Sequence, residues 1–96
     1  MKVFVSEEAD TDFLQIHTYL GERNPGAAFA LANEFKNKIE NLTRFPFIGR
    51  DRSGLLEGVR SVVAENYVIF YMVDRDLITN LCVLDGRRDI DAEFRR

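Results

Sequence analysis

The chain is 96 residues long, 46% hydrophobic and 30% charged, with a formal net charge of −3. These values fit one modest core of a single domain spanning residues 1–96, and exclude wholesale disorder and a broad basic surface for coating nucleic acid. One cysteine, Cys82, cannot make an intramolecular disulfide, and it points to a reducing compartment.

Residues Lys2 to Val5 read as a short strand, and Ser6 followed by Glu7 and Glu8 reads as a helix N-cap with acids in the first turn. The start turns acidic too early for a secretory h-region, so the cytoplasm is expected. Ala9, Phe13, Ile16 and Leu20 recur at helical spacing on one face, up to the breakers Gly21 and Asn24-Pro25. Asn24-Pro25 is also a start signal, since asparagine caps and proline at the first helical position loses no needed N–H bond. Ala28, Leu31, Phe35, Ile39 and Leu42 continue the period in a second helix. With about four residues expected between them, the two helices fold back as a hairpin whose apolar seam needs a third surface.

That surface follows a loop, 44–53, that carries three arginines. Strand-like runs cover Gly58–Ala64, Tyr67–Val73 and Leu77–Leu84, joined by hairpin-length connections, so a three-stranded antiparallel meander is predicted. The middle run is apolar almost throughout, as in a strand covered on both faces. Its seven residues fall far short of the roughly 20 that a membrane-spanning helix needs. Residues Asp89–Arg96 have room for one or two helical turns. The fold class is therefore α+β in the order β-α-α-β-β-β, with a helical hairpin on an antiparallel sheet and a short C-terminal tail. Periodicity does not fix where the first strand inserts.

Chemistry is thinly represented. One Cys and one His are too few for a zinc site. Asp85, Asp89, Asp91 and Glu93 lack a fixed cation-loop spacing, and no glycine pattern cradles a nucleotide phosphate, so neither a metal nor a cofactor is expected. Ser6, Ser53 and Ser61 have no nucleophile context, and His17 beside Phe13 reads as a packing residue. What remains is arginine. Residues 41–64 hold four arginines against two acids, whereas 1–40 and 65–96 are each acidic. Arg44, Arg52, Arg95 and Arg96 read as solvated charges. Arg60 and the Gly86-Arg87-Arg88-Asp89 turn lie near strand ends, where antiparallel geometry is expected to gather them onto one edge, with Asp89 pairing one of the two arginines. A structural clamp and an anion-recognition site both fit this pattern.

In order, Asn24-Pro25, Ala27-Ala28, Leu42, Phe45-Pro46, Gly49-Arg50, Gly58-Val59-Arg60, Tyr67-Val68-Ile69-Phe70-Tyr71 and Gly86-Arg87-Arg88-Asp89-Ile90 resemble the ParE branch of the RelE/ParE toxin superfamily over nearly the entire chain. The resemblance implies a type II toxin that binds and inhibits DNA gyrase, with no catalytic residue of its own and no specific DNA binding alone. It also implies neutralisation by a ParD-like antitoxin in a hetero-oligomer. The alternatives within the superfamily are a RelE-like messenger endoribonuclease and a toxin fold with lost activity. Members of the RelE-like branch use lysines and a C-terminal tyrosine. Here no lysine follows Lys38, and Phe94 stands at the tyrosine position. Target contacts are assigned on this basis to Arg60, Arg87, Arg88, Asp89 and Phe94. Asp85 stands where the branch commonly carries histidine. The antitoxin is expected on the helical hairpin and the groove beside it, with Leu14 and Phe29 as contacts. Completion of the core by these two residues fits the pattern equally.

Overall fold

A computed structural model of the protein describes residues 1–95. The elements are β1 (Lys2–Val5), α1 (Glu7–Arg23), α2 (Pro25–Arg44), β2 (Arg50–Asp51), β3 (Val59–Ala64), β4 (Tyr67–Asp74), β5 (Leu77–Asp85) and α3 (Ile90–Phe94). They form one five-stranded sheet in the order β1-β5-β4-β3-β2.

Both helix starts follow the predicted capping. Ser6 Oγ accepts from Ala9 N (3.0 Å) and donates to Leu81 O (2.9 Å), so one hydroxyl caps α1 and ties it to β5. Asn24 ends one helix and begins the next: its N–H donates to Leu20 O, and its Oδ1 accepts from Ala27 N. This single residue replaces the expected connection of about four, and α1 runs through Gly21 to Arg23. Propensity makes an isolated glycine costly but tolerable inside a helix.

The three predicted hairpin strands pair antiparallel in sequence order. Two features enlarge the predicted meander. β1 pairs in parallel with β5, Lys2 opposite Leu77, so the sheet is mixed and not wholly antiparallel. A two-residue strand, β2, condenses from the arginine-rich loop onto β3. β4 is central, and Tyr67 to Tyr71 are buried on both faces. One face takes the hairpin: Ile69 and Val83 meet Leu31, with Phe13, Ile16, Leu20 and Phe35 around them. Tyr71 and Ile78 meet Leu42 farther along. The other face carries Val68, Phe70 and Cys82 and is closed by Leu55, Ile90 and Phe94. Burying side chains of this size stabilises by about 1.5–3 kcal/mol each.

A bulge between Phe70 and Tyr71 shifts the β4–β5 pairing, placing Tyr71 opposite Asn80. Asn80 is wholly buried, and its side-chain amide has no hydrogen-bond partner among the described residues. Such a group costs about 1–3 kcal/mol.

Candidate functional site

The sheet ends in a tight turn at Asp85. Gly86 N donates to Asn66 O (2.9 Å), and a Cβ at this position would lie 3.1 Å from that same oxygen, so the close approach of the β4 and β5 ends favours glycine. The chain then reverses, with Arg88 N donating to Asp85 O (3.2 Å). Asp85 Oδ1 accepts from both the backbone N–H (2.9 Å) and Nε (3.1 Å) of Arg87, and Oδ2 accepts from Arg87 Nη2 (2.9 Å). This bidentate grip belongs to Asp85. Asp89, expected to pair an arginine, instead caps α3 by accepting from Ala92 N (3.3 Å), because a carboxylate at an N-cap is held by the first-turn amides. Arg88 lies 3.6 Å from Glu93.

The turn borders a cleft of about 440 Å³ between α1 and the ends of β4 and β5, with Asp12, Tyr19, Tyr67, Asp85, Arg87 and Arg88 in its walls. Asp12 fixes one wall, its Oδ2 accepting from Val83 N (3.1 Å). Both arginine side chains are 69% exposed. An anion from solvent can therefore meet the Nη1 edge of Arg87, whose Nε and Nη2 are held by Asp85, and the guanidinium of Arg88 beside Glu93. Among the described residues, no histidine or lysine lines the cleft. Among the described residues, no group of three or more Asp, Glu, His or Cys is placed to hold a metal ion.

The hydrogen bonds from Arg87 hold the Asp85 carboxyl below the ordinary aspartate value of 3.8, and Asp85 in turn raises Arg87. Asp85 is therefore an anion at neutral pH. Because its folded pKa is depressed, the pair's contribution to stability is present above the unfolded value near 3.8 and is lost as pH falls through the lower folded value. A carbon-detected NMR titration of Asp85 should show a midpoint below 3.8 that returns toward it in Arg87→Ala. An unchanged midpoint in that variant would contradict the grip.

Arg60 does not join this cluster. It pairs with Tyr71, whereas Asp85 pairs with Tyr67, four residues away along β4, or roughly 13 Å at the ordinary rise of a strand. Arg60 Nη1 instead donates to Phe47 O (3.2 Å) and Gly49 O (2.9 Å), and its guanidinium sits 5.3 Å from the Phe47 ring centre. Phe94 is half-buried against Phe70, with ring centroids 5.1 Å apart, so it closes the second face of the sheet. Leu14 and Phe29 are 62% and 69% exposed and do not complete the core. His17 stacks on Phe13 as expected. Arg52, expected to be solvated, donates from Nε to Ser61 Oγ (2.9 Å) and packs over Phe70, and Arg95 donates to Gly54 O (3.1 Å). Arg96 lies outside the described residues.

Sequence reasoning missed the anchor of the 45–49 loop. Tyr71 Oη donates to Pro46 O (2.8 Å) and accepts from Gly49 N (3.0 Å), while Arg60 holds the neighbouring carbonyls. Burial raises the phenol pKa, which keeps the hydroxyl protonated as a donor. The available signal was a tyrosine hydroxyl in an otherwise apolar central strand, a group that needs a partner when buried.

Comparison with known proteins places this architecture. A family model described as the ParE toxin of the type II toxin–antitoxin system parDE matches residues 3–90. Toxin ParE3 of Caulobacter vibrioides is 32% identical over 67 residues, which cover 70% of this chain and 67% of that protein. The solved chromosomal ParDE toxin–antitoxin system of P. aeruginosa shares the fold at a TM-score of 0.74 and 18% identity, over 88% of this chain and 95% of that one. With the family pattern running from β1 through the helical hairpin and the later strands to the arginine turn, the chain belongs to the ParE toxins of type II toxin–antitoxin systems.

Proposed function

We propose that this ParE-type toxin arrests growth by binding DNA gyrase, with no covalent step supplied by its own side chains, and that a ParD-like antitoxin neutralises it in a hetero-oligomer. Both events belong to the cytoplasm, and no helix among the described residues is long and apolar enough to cross a membrane. The observation that carries the proposal is the C-terminal turn, where two exposed guanidinium groups stand beside a cleft with no lysine or histidine among its described residues. Cleavage of RNA through the 2′-hydroxyl needs a group to take a proton and another to return one. Asp85 stays ionised and occupied by Arg87, Asp12 holds the Val83 amide, Glu93 faces Arg88, Tyr67 is buried and Tyr19 packs against Arg23, while Phe94 has no hydroxyl and supports the core. Capture of one conformational state of a target needs neither step, only differential affinity for that state.

Arg87 and Arg88 are the primary target contacts under this proposal, with Asp89 holding α3 behind them. Leu14 and Phe29, on the outer surface of the hairpin, supply an apolar face for the antitoxin. The test is a supercoiling assay with purified gyrase and relaxed plasmid, run beside a ribosome-primed messenger cleavage assay. Inhibited supercoiling with intact messenger is the expected result. Intact supercoiling with cleaved messenger would replace the proposal by nuclease action, and inactivity in both would mark a toxin fold without poison activity.

A further inference from the structure

Each arginine of the C-terminal turn is backed by a carboxylate. Arg87 grips Asp85 at 2.9 Å and Arg88 lies 3.6 Å from Glu93, yet the arginine side chains are 69% exposed and their partners only 21% and 33%. The cations therefore stand in front and the acids lie behind them. Asp12 adds a third carboxylate to the same cleft, so its walls hold two cations against three acids. The bond from Gly86 N to Asn66 O brings the turn between β3 and β4 to this end of the sheet, with exposed Glu65 one residue from that contact.

Pairing of this kind treats two classes of anion differently. A DNA duplex carries one charge per roughly 1.7 Å of its axis, and a protein cation gains affinity for it by releasing condensed counterions. A guanidinium already neutralised by its own carboxylate has no such gain to make, and the phosphates that flank a contacted one are repelled by the acids behind. A protein surface offers an isolated acceptor with uncharged neighbours. That group can take the outward edge of Arg87 or Arg88 while apolar side chains seat on Ile16, Val83 and Leu84 in the same walls. The difference matters in a cell, where about 10⁶–10⁹ non-specific DNA sites compete for a bare pair of arginines.

We propose that Asp85 and Glu93 are specificity-determining residues that shield the Arg87–Arg88 turn from nucleic-acid phosphates and so reserve it for a protein surface. The inference deepens the gyrase reading and rests on it for the identity of that protein: the turn meets the gyrase polypeptide, not the DNA that gyrase holds. The shielding itself is measured without gyrase.

The probe is a short fluorescent DNA duplex of random sequence, titrated with the full chain and read by anisotropy across a salt series. Asp85→Asn with Glu93→Gln removes both carboxylates, while the asparagine keeps an oxygen for the Arg87 amide. This protein should bind the duplex at least tenfold more tightly than the parent at low salt. Its plot of log K against log salt should steepen by about 1.8, the value for two newly unpaired cations. Adding Arg87→Ala and Arg88→Ala should abolish the gain. Asp74→Asn with Asp76→Asn makes the same change in net charge where β4 passes to β5, at the opposite end of the sheet, and should gain less than threefold. Circular dichroism checks folding; should the Asp85→Asn, Glu93→Gln protein fail to fold, Glu93→Gln alone should still gain about threefold. No gain on removing the carboxylates, an equal gain in the Asp74–Asp76 control, or parent binding that the two alanines abolish would overturn the proposal. So would parent toxin that binds gyrase only when DNA is present, whereas no binding to gyrase in either condition would sink the gyrase reading and leave the shielding to the duplex result.

Discussion

Replacing Arg87 and Arg88 together with alanine is expected to raise the concentration needed to inhibit gyrase supercoiling by 100-fold or more, while leaving the far-ultraviolet spectrum of the protein unchanged. Each guanidinium is largely exposed, so truncation removes little packing. A hydrogen bond to a charged group contributes about 1.5–3 kcal/mol, and two such losses exceed the roughly 2.8 kcal/mol of a 100-fold change. The single variants should differ. Each change also releases a carboxylate from its arginine, Glu93 in Arg88→Ala and Asp85 in Arg87→Ala, but Asp85 is held bidentately with a contact of 2.9 Å whereas Glu93 lies 3.6 Å from Arg88. Arg87→Ala should therefore be the more damaging, and adding Asp85→Asn should recover part of the loss. Full inhibition by the double alanine variant would move the target contact away from this turn.

The largest effect on stability is expected at Gly49. A Cβ there would lie 2.5 Å from Tyr71 Oη and 2.8 Å from Ser61 O, and the second of these is backbone in a paired strand. Overpacking of this kind costs about 1–3 kcal/mol, and pushing the phenol aside strands buried polar groups at about 1–3 kcal/mol more. Gly49→Ala should therefore lower stability by about 3 kcal/mol. Tyr71→Phe removes the hydroxyl without adding bulk and should cost about 1–3 kcal/mol, or roughly 4–8 °C in melting temperature per kcal/mol for a domain of this size. Urea unfolding tests both variants through a lower midpoint at unchanged slope. A Gly49→Ala protein within about 0.5 kcal/mol of the parent would refute the anchor, since that is the range of a surface change without a specific role.

The elements with strong local signals were legible in the sequence. The period from Ala28 to Leu42, the caps at Ser6 and Asn24 and the apolar run from Tyr67 all express choices made within a few residues. β1 was legible as a strand but not as the parallel neighbour of β5, because pairing is settled by how the hairpin carries the chain back to the sheet. β2 is too short to have a period of its own.

At the site, the exposed arginines of the turn were legible from charge, whereas Leu14 and Phe29 fitted exposure and completion of the core equally until the structure set them outward. Their partners were not. Asp85 and Asp89 are both one or two residues from an arginine, and spacing alone treats them alike. The turn geometry separates them by giving one a bidentate partner and the other a helix end. Arg60 misled for a related reason. Closeness to a strand end does not say which end of the sheet, and the register carries it to the 45–49 loop.

The parallel seam between the first strand and the last has a consequence for how the toxin comes into being. Ser6 bonds Leu81 across 75 residues of sequence, and among the described residues β1 pairs with no strand other than β5. During synthesis, at about 5–20 residues per second, the helices emerge several seconds before the strand that must join them. Until residues 77–85 leave the ribosome, the nascent chain has an uncovered apolar hairpin and an orphan first strand. The arginine turn comes later still, so a chain released before it would lack both the finished sheet and the residues to which the proposed function assigns target binding.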